Sequence, residues 1–353
     1  MQAAIIKAGD IEVATLPDPE PGPGQILVAP KYTGICGSDL HVRAIMKEMA
    51  DSVGEAERAE IPNIVPGHEF SAEIVGFGAG TDSPLKIGDR IVPIPFTPMG
   101  HDHQIIGLSP LYSGGIATLS LVDAERCFRI PDAIPSDHAA LTEPLAVGLH
   151  AANLASRREG PNVILGCGPV GLAVLLALKS QGRAPILAAD FSAERRAIAE
   201  ALGADIIVDP ADGSPYDHWE ALGFEEQQVS PLLTPDLYGT ALGPNIFDCV
   251  GAPGLIDSMI KNAPRHAHLI IVGVCPHEDK YTPQEGILKE LSLEFSFAYT
   301  PAEFTECLKM IGENGDAISK LITSRLPMSE TAEAFDRLAS QPTEIKVLIE
   351  PSS

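Results

Sequence analysis

Positive charge is what this sequence has least of. Its 353 residues carry 24 Lys and Arg against 48 Asp and Glu, a formal net charge of −24. Nucleic acids and anionic membrane surfaces are gripped through their phosphates by cationic faces, so a surface this acidic argues against both as partners. Long apolar runs are missing too. No uninterrupted stretch reaches membrane-spanning length, and Met1 to Asp10 shows no basic region followed by an apolar one, so the chain is expected to be cytoplasmic, with no membrane span and no secretory leader. The six cysteines, Cys36, Cys127, Cys167, Cys249, Cys275 and Cys307, include no C-x-x-C pair. That is not a disulfide framework, and it suits a reducing compartment. Internal repeats and low-complexity tracts are also absent.

What is present is organised around Val163-Ile164-Leu165-Gly166-Cys167-Gly168-Pro169-Val170-Gly171. An apolar run, Leu172 to Leu178, follows it, and then Pro185-Ile186-Leu187-Ala188-Ala189-Asp190. A short strand runs into G-x-G-x-x-G, a helix follows, and a second strand ends on Asp190, nineteen residues past Gly171. In a dinucleotide site each position has a reason. Gly166 takes the tight turn off the strand, Gly168 lets a pyrophosphate approach, and Gly171 lets helix and strand pack closely. Pro169 and Val170 open the helix whose N–H groups face the phosphates. Asp190 accepts from both ribose hydroxyls and repels a 2′-phosphate, which favours NAD over NADP.

The length allows two domains, and the fingerprint begins only at Gly166, so a different domain precedes it. Up to about residue 145 the chain reads as short strands broken by Gly and Pro: Ala3 to Lys7, Ile11 to Thr15, Gln25 to Pro30, Phe70 to Phe77 and Arg90 to Pro93. Val42 to Glu60 is charged and rich in Ala, Met and Glu, which predicts a helical excursion. After Leu141 strands and helices alternate. Val163 to Leu165, Ile186 to Asp190, Ile206 to Asp209, Ile246 to Val250, Leu269 to Val274 and Leu291 to Phe297 read as six strands, which predicts a doubly wound parallel sheet. Asp212 to Gly243, which holds the only tryptophan, Trp219, shows no period and reads as a surface excursion or an oligomer contact. The tail offers helices at Ala302 to Ile311 and Glu330 to Ala339 and a last strand, Ile345 to Ile349, expected to return to the first domain.

Three clusters in the first domain carry chemistry: Gly34-Ile35-Cys36-Gly37-Ser38-Asp39-Leu40-His41, Gly67-His68-Glu69-Phe70 and Thr142-Glu143-Pro144-Leu145-Ala146-Val147-Gly148. A thiolate, an imidazole and one or two carboxylates are what an open zinc site requires: three protein ligands and a fourth position for water or substrate. Taken singly, a Cys or His is more often an ordinary core residue. It is their company that counts.

Together with Gly88-Asp89-Arg90-Ile91-Val92 and Leu202-Gly203-Ala204-Asp205, these clusters resemble, in identity and order, the zinc-containing medium-chain alcohol dehydrogenases, and most of all their polyol and butanediol dehydrogenase branch. The resemblance implies a GroES-like irregular β domain over 1–146, a Rossmann NAD-binding domain over 147–297 and a C-terminal part, 298–353, that completes the first. It implies one catalytic zinc held by Cys36 and His68, with Glu69 or Glu143 as third ligand, and Asp39 behind His68. Zinc makes a bound alcohol acidic, hydride passes to the nicotinamide, and the proton leaves by Ser38, a ribose hydroxyl and His41. Arg195 would lie near the adenosine, and Val250, Val272, Gly273 and Val274 near the nicotinamide. Phe297, Ala298 and Tyr299 would reach toward its amide and a neighbouring subunit. Ser38, Phe96 and Glu143 would border the substrate. Homodimers or homotetramers follow from the same likeness.

The chain departs from the family at Pro95 to Gln104, where most members place four cysteines for a second zinc and this one has none. No structural zinc of that kind is expected, and His101, Asp102 and His103 read as a polar loop. Other readings are a zinc-free reductase of an activated C=C bond, whose relatives generally lack the Cys and His ligands, and a nucleotide-binding protein without catalysis. The ligand and relay residues favour the dehydrogenase, acting on a secondary alcohol, diol or polyol.

Overall fold

The computed structural model describes residues 1–99, 102–155, 160–225, 243–340 and 343–352, with the side chains of 98 to 103 outside the described set. The chain forms two compact units. One is Met1–Glu143 with Phe304–Ser353, and the other is Pro144–Glu303. The units divide between Glu143 and Pro144 and between Glu303 and Phe304, inside the helices Thr142–Ala155 and Pro301–Glu313, whereas the borders expected from sequence are 146 and 297.

The first unit is built on a seven-stranded sheet. Its order is Ile322–Pro327, Lys346–Glu350, Gln25–Gly34, Glu69–Phe77, Arg90–Pro93 and Cys127–Arg129, with Ser120–Asp123 also paired to Gln25–Gly34. The C-terminal strand enters this sheet, pairing Leu348 with Gly34, while Gly34 pairs with Glu69 on its other side. Register between Gln25–Gly34 and Glu69–Phe77 slips at Pro30, which has no N–H to donate. The sheet's inner face buries Ile26, Val28, Phe70, Ile74 and Ile91. The helical excursion starts earlier than its composition suggests. It runs over Gly37–Ser52, with a short turn at Glu55–Arg58, because Asp39 accepts from the Cys36 N–H and caps the start.

The second unit is a six-stranded parallel sheet in the order Ile206–Val208, Ile186–Ala189, Asn162–Leu165, Asn245–Asp248, His268–Ile271, Ser292–Phe295. The order reverses between Asn162–Leu165 and Asn245–Asp248, the switch point at which such sheets open a crevice. The helix Pro169–Ser180 is apolar all round and buried from Gly171 to Leu178, as a central helix of this fold must be. The segment expected to be a surface excursion is in part core. Leu222 is buried, and Tyr216 and Trp219 pack against the sheet's cluster, with ring centroids 6.4 Å apart. Tyr216 in a three-residue 3-10 turn and Trp219 in the irregular chain after it give no helix or strand period, so the pattern hid them. Residues 226–242 of that segment, and the side chains of the His101 to His103 loop, lie outside the described residues. Among the described residues no helix is long and apolar enough to cross a membrane.

Candidate metal and dinucleotide sites

The first unit's site grows from one register. Cys36 stands at the N-cap of the helix Gly37–Ser52, two residues beyond the end of its strand. His68 precedes the neighbouring strand and Glu69 begins it, opposite Gly34. The donor atoms of Cys36, His68 and Glu69 lie within 4.8 Å of one another, with His68 and Glu69 buried. Asp39, fully buried, organises them: it accepts from the Cys36 N–H at 2.8 Å and from the Gly67 N–H at 3.3 Å, and its Oδ1 lies 3.6 Å from His68 Nδ1. Ser38 Oγ is 3.4 Å from the other ring nitrogen, His68 Nε2. His41, one turn on, is exposed.

The electrostatics of the cluster favour a cation. Burial works against a charged His68, yet the charges of Asp39 and Cys36 outweigh it and hold the ring well above its ordinary range. The same holds for Lys346, buried on the C-terminal strand: burial disfavours its charge, and Glu69, Cys36 and Glu143 together restore and raise it. Lys346 Nζ lies 2.9 and 2.6 Å from the two oxygens of Glu69, an ion pair with side chains 4% and 1% exposed. Removing one partner of such a pair costs about 3–5 kcal/mol, because the other charge stays buried alone. Glu143, half-buried, acts on Lys346 and on the Cys307 thiol but stands outside the group of three donors. Thiolate, imidazole and carboxylate at this spacing are a donor set that zinc fits. Phe96, half-buried, opens the two-stranded hairpin Phe96–Met99 and Asp102–Ile105.

In the second unit Gly166 has φ +93°, and a Cβ there would lie 2.6 Å from Val250. Gly168 caps the helix Pro169–Ser180, with Pro169 in its first turn and Val170 beside it. A Cβ on Gly171 would lie 1.8 Å from the Gly166 carbonyl oxygen. Asp190 follows the second strand; its carboxylate accepts from the Cys167 N–H at 2.7 Å and the Ser192 N–H at 2.8 Å, tying the glycine loop to the strand end. Arg195 reaches to 3.8 Å from where a Gly168 Cβ would stand, while Arg196 donates to the Asp190 and Phe191 carbonyls and pairs with Asp209. Val272 is buried, Val250 and Val274 are exposed, and Gly273 approaches the Val250–Gly251 backbone too closely for a side chain.

Residues 22–132 match the alcohol dehydrogenase GroES-like domain, and residues 169–313 match the zinc-binding dehydrogenase domain. The chain belongs to the zinc-dependent medium-chain alcohol dehydrogenase family. Members of this family are oxidoreductases, and relatives span its alcohol and polyol branch. The (R,R)-butanediol dehydrogenase of Bacillus subtilis is 29% identical, with 97% of each chain covered. The sorbitol dehydrogenase of Gallus gallus is 28% identical over 95% of this chain and 92% of its own. The crystal structure of galactitol-1-phosphate dehydrogenase from Escherichia coli superposes with a TM-score of 0.81 at 26% identity, covering 99% of this chain and 100% of that one.

Two residues beside these sites escaped the sequence reading. Lys346 lies 277 residues from Glu69, and only the pairing of the last strand brings them together. Phe191, 74% exposed, offers an aromatic face directly after Asp190; a large exposed aromatic beside the fingerprint acid was the available signal. Four of the other five cysteines have thiols that burial makes harder to ionise. Burial, helped by Asp190, pushes the Cys167 thiol up to about 12, and burial likewise raises Cys127, Cys249 and Cys307. At pH 8 these four are expected to resist iodoacetamide in the native protein and to react once it is denatured, since only the thiolate attacks. Peptide mapping reads this directly, and native labelling of Cys167 at the denatured rate would contradict it.

Proposed function

We propose that the protein is a zinc- and NAD-dependent dehydrogenase that interconverts a secondary alcohol, diol or polyol and its ketone. The observation that carries this is the convergence of Cys36, His68 and Glu69 within 4.8 Å in a unit of this family. These three residues hold the ion, with Glu143 at hand. Zinc, when bound, supplies the Lewis acidity that makes an alcohol hydroxyl acidic near neutral pH. Asp39 fixes the Cys36 turn and favours one tautomer of His68. Ser38, whose Oγ stands 3.4 Å from His68 Nε2, would accept the substrate proton as it passes its own to a ribose hydroxyl of the bound cofactor, and His41, three residues along the helix and exposed, would take it from there to solvent. Phe96 and Glu143 border the substrate.

In the second unit Gly166, Gly168, Pro169, Val170 and Gly171 cradle the pyrophosphate. Arg195 flanks the adenosine, and Val250, Val272, Gly273 and Val274 flank the nicotinamide. Asp190 selects NAD. Asp190→Asn keeps the shape and one acceptor oxygen, turns the other oxygen into an NH2 donor, and removes the charge that repels a 2′-phosphate. The expected result is a fall of about tenfold or more in the NAD-over-NADP ratio of kcat/KM, like-charge juxtaposition being worth a few kcal/mol; an unchanged ratio would assign the preference elsewhere.

We further infer a homodimer or homotetramer, supported by Phe295, the last residue of the outer strand of the parallel sheet, and Phe297 just past it, 66% and 78% exposed. Six unpaired cysteines support a cytoplasmic setting. An NAD-reduction screen over alcohols, vicinal diols and polyols, with metal analysis of the same protein, tests the whole reading. Zinc near one ion per chain and turnover of one of these classes support it, and reduction of enones alone would replace it.

A further inference from the structure

Asp248 is the last residue of the strand Asn245–Asp248, paired with Leu165, where the glycine loop begins, on one side and with Ile271 on the other. It is 1% exposed, and a carboxylate that deep is costly unless N–H groups compensate it. The compensation comes from the loop that follows. Asp248 Oδ1 accepts from the Val250 N–H and from the Gly251 N–H, each at 2.9 Å. Its backbone carbonyl serves the neighbouring loop, accepting from the Val272 N–H at 2.9 Å and the Gly273 N–H at 2.8 Å. Four N–H groups from two loops end on one residue, and those loops carry the side chains of Val250 and Val274, 52% and 72% exposed.

We propose that Asp248 is a positioning residue that sets the two walls of the nicotinamide site, Val250 on one loop and Val274 on the other, as a pair. This rests on the NAD reading above. The loops meet backbone to backbone. A Cβ on Gly273 would lie 2.3 Å from the Gly251 nitrogen, and one on Gly251, at φ +69°, would lie 2.6 Å from the Val274 carbonyl carbon. With no side chain between them, the spacing of the walls follows the backbone, and Asp248 holds the backbone of both. The far end of the cofactor has anchors of its own: the Gly166 N–H donates to the Ala189 carbonyl at 2.8 Å, and the Cys167 N–H donates to Asp190 at 2.7 Å. Loss of the Asp248 carboxylate therefore frees the Val250–Gly251 turn while the pyrophosphate cradle stays in place.

The test compares two ligands on the full chain by isothermal titration calorimetry. One is NADH, and the other is ADP-ribose, which has the adenosine, the pyrophosphate and the second ribose but no nicotinamide. Asp248→Ala is expected to weaken NADH binding about tenfold, since two N–H groups lose an ionised acceptor, and to leave ADP-ribose binding unchanged. Asp248→Asn, which keeps one acceptor oxygen, is expected to restore most of the NADH affinity. Asp248→Ser, whose hydroxyl accepts more weakly, is the second variant should alanine fail to fold, and the same selective weakening of NADH is expected. Unchanged NADH affinity, or equal losses for the two ligands, would overturn the proposal while leaving the NAD reading intact. A wild-type chain that binds neither ligand would overturn that reading, and this inference with it.

Discussion

Cys36→Ser is expected to purify with its zinc lost and with kcat/KM lower by about a thousandfold or more. Several kcal/mol of charge stabilisation rest on the metal, and each 1.4 kcal/mol is about tenfold in rate. A serine hydroxyl occupies the same N-cap position, and Asp39 still accepts the backbone N–H of residue 36, so the turn and the helix Gly37–Ser52 should persist. The thiolate is what goes. With it go one negative charge from the cluster and one of the two donors that Lys346 does not touch. Circular dichroism and thermal melting should therefore change little while metal content and turnover collapse together. Retained activity without zinc would end the Lewis-acid reading.

Gly171→Ala is the second large effect, and it acts on the other unit. A methyl there would sit 1.8 Å from the Gly166 carbonyl oxygen, 3.0 Å from its carbon and 3.3 Å from Cys249 Cβ. The first two obstacles are backbone, which cannot rotate away, so the helix Pro169–Ser180 must lift from the strand that precedes it. Overpacking of this kind costs about 3 kcal/mol, and here it also displaces the N–H groups on which the pyrophosphate would rest. The expected outcome is a lower melting temperature together with loss of NADH binding by fluorescence titration. Gly168→Ala is the control. Its φ is −70°, and its nearest neighbour would be the flexible Arg195 guanidinium at 3.8 Å, so it should fold normally and lose binding alone. Equal melting of both variants would show that the helix is free to shift.

Much of this architecture was legible because its signals are local. The six strands of the parallel sheet are short apolar runs between Gly and Pro, and the fingerprint glycines are needed within a few residues of one another, so the sequence shows them together. Cys36, His68 and Glu69 were nominated by resemblance and are gathered by the pairing of Gly34 with Glu69. What stayed hidden depends on long-range pairing. A lysine near the C-terminus has no feature that points to residue 69, and the strand Ile322–Pro327, half polar and lying on the sheet's edge, gives little alternation to read. Trp219 and Tyr216 were hidden for another reason: irregular backbone carries core residues without a period.

Anomalous diffraction at the zinc absorption edge, from crystals of protein purified without added metal or chelator, goes straight to the centre of the account. It predicts one peak per chain at bonding distance, about 2.3 Å from Cys36 Sγ and about 2.0–2.2 Å from His68 and a carboxylate oxygen. A peak elsewhere, or none between Cys36 and His68, would contradict it.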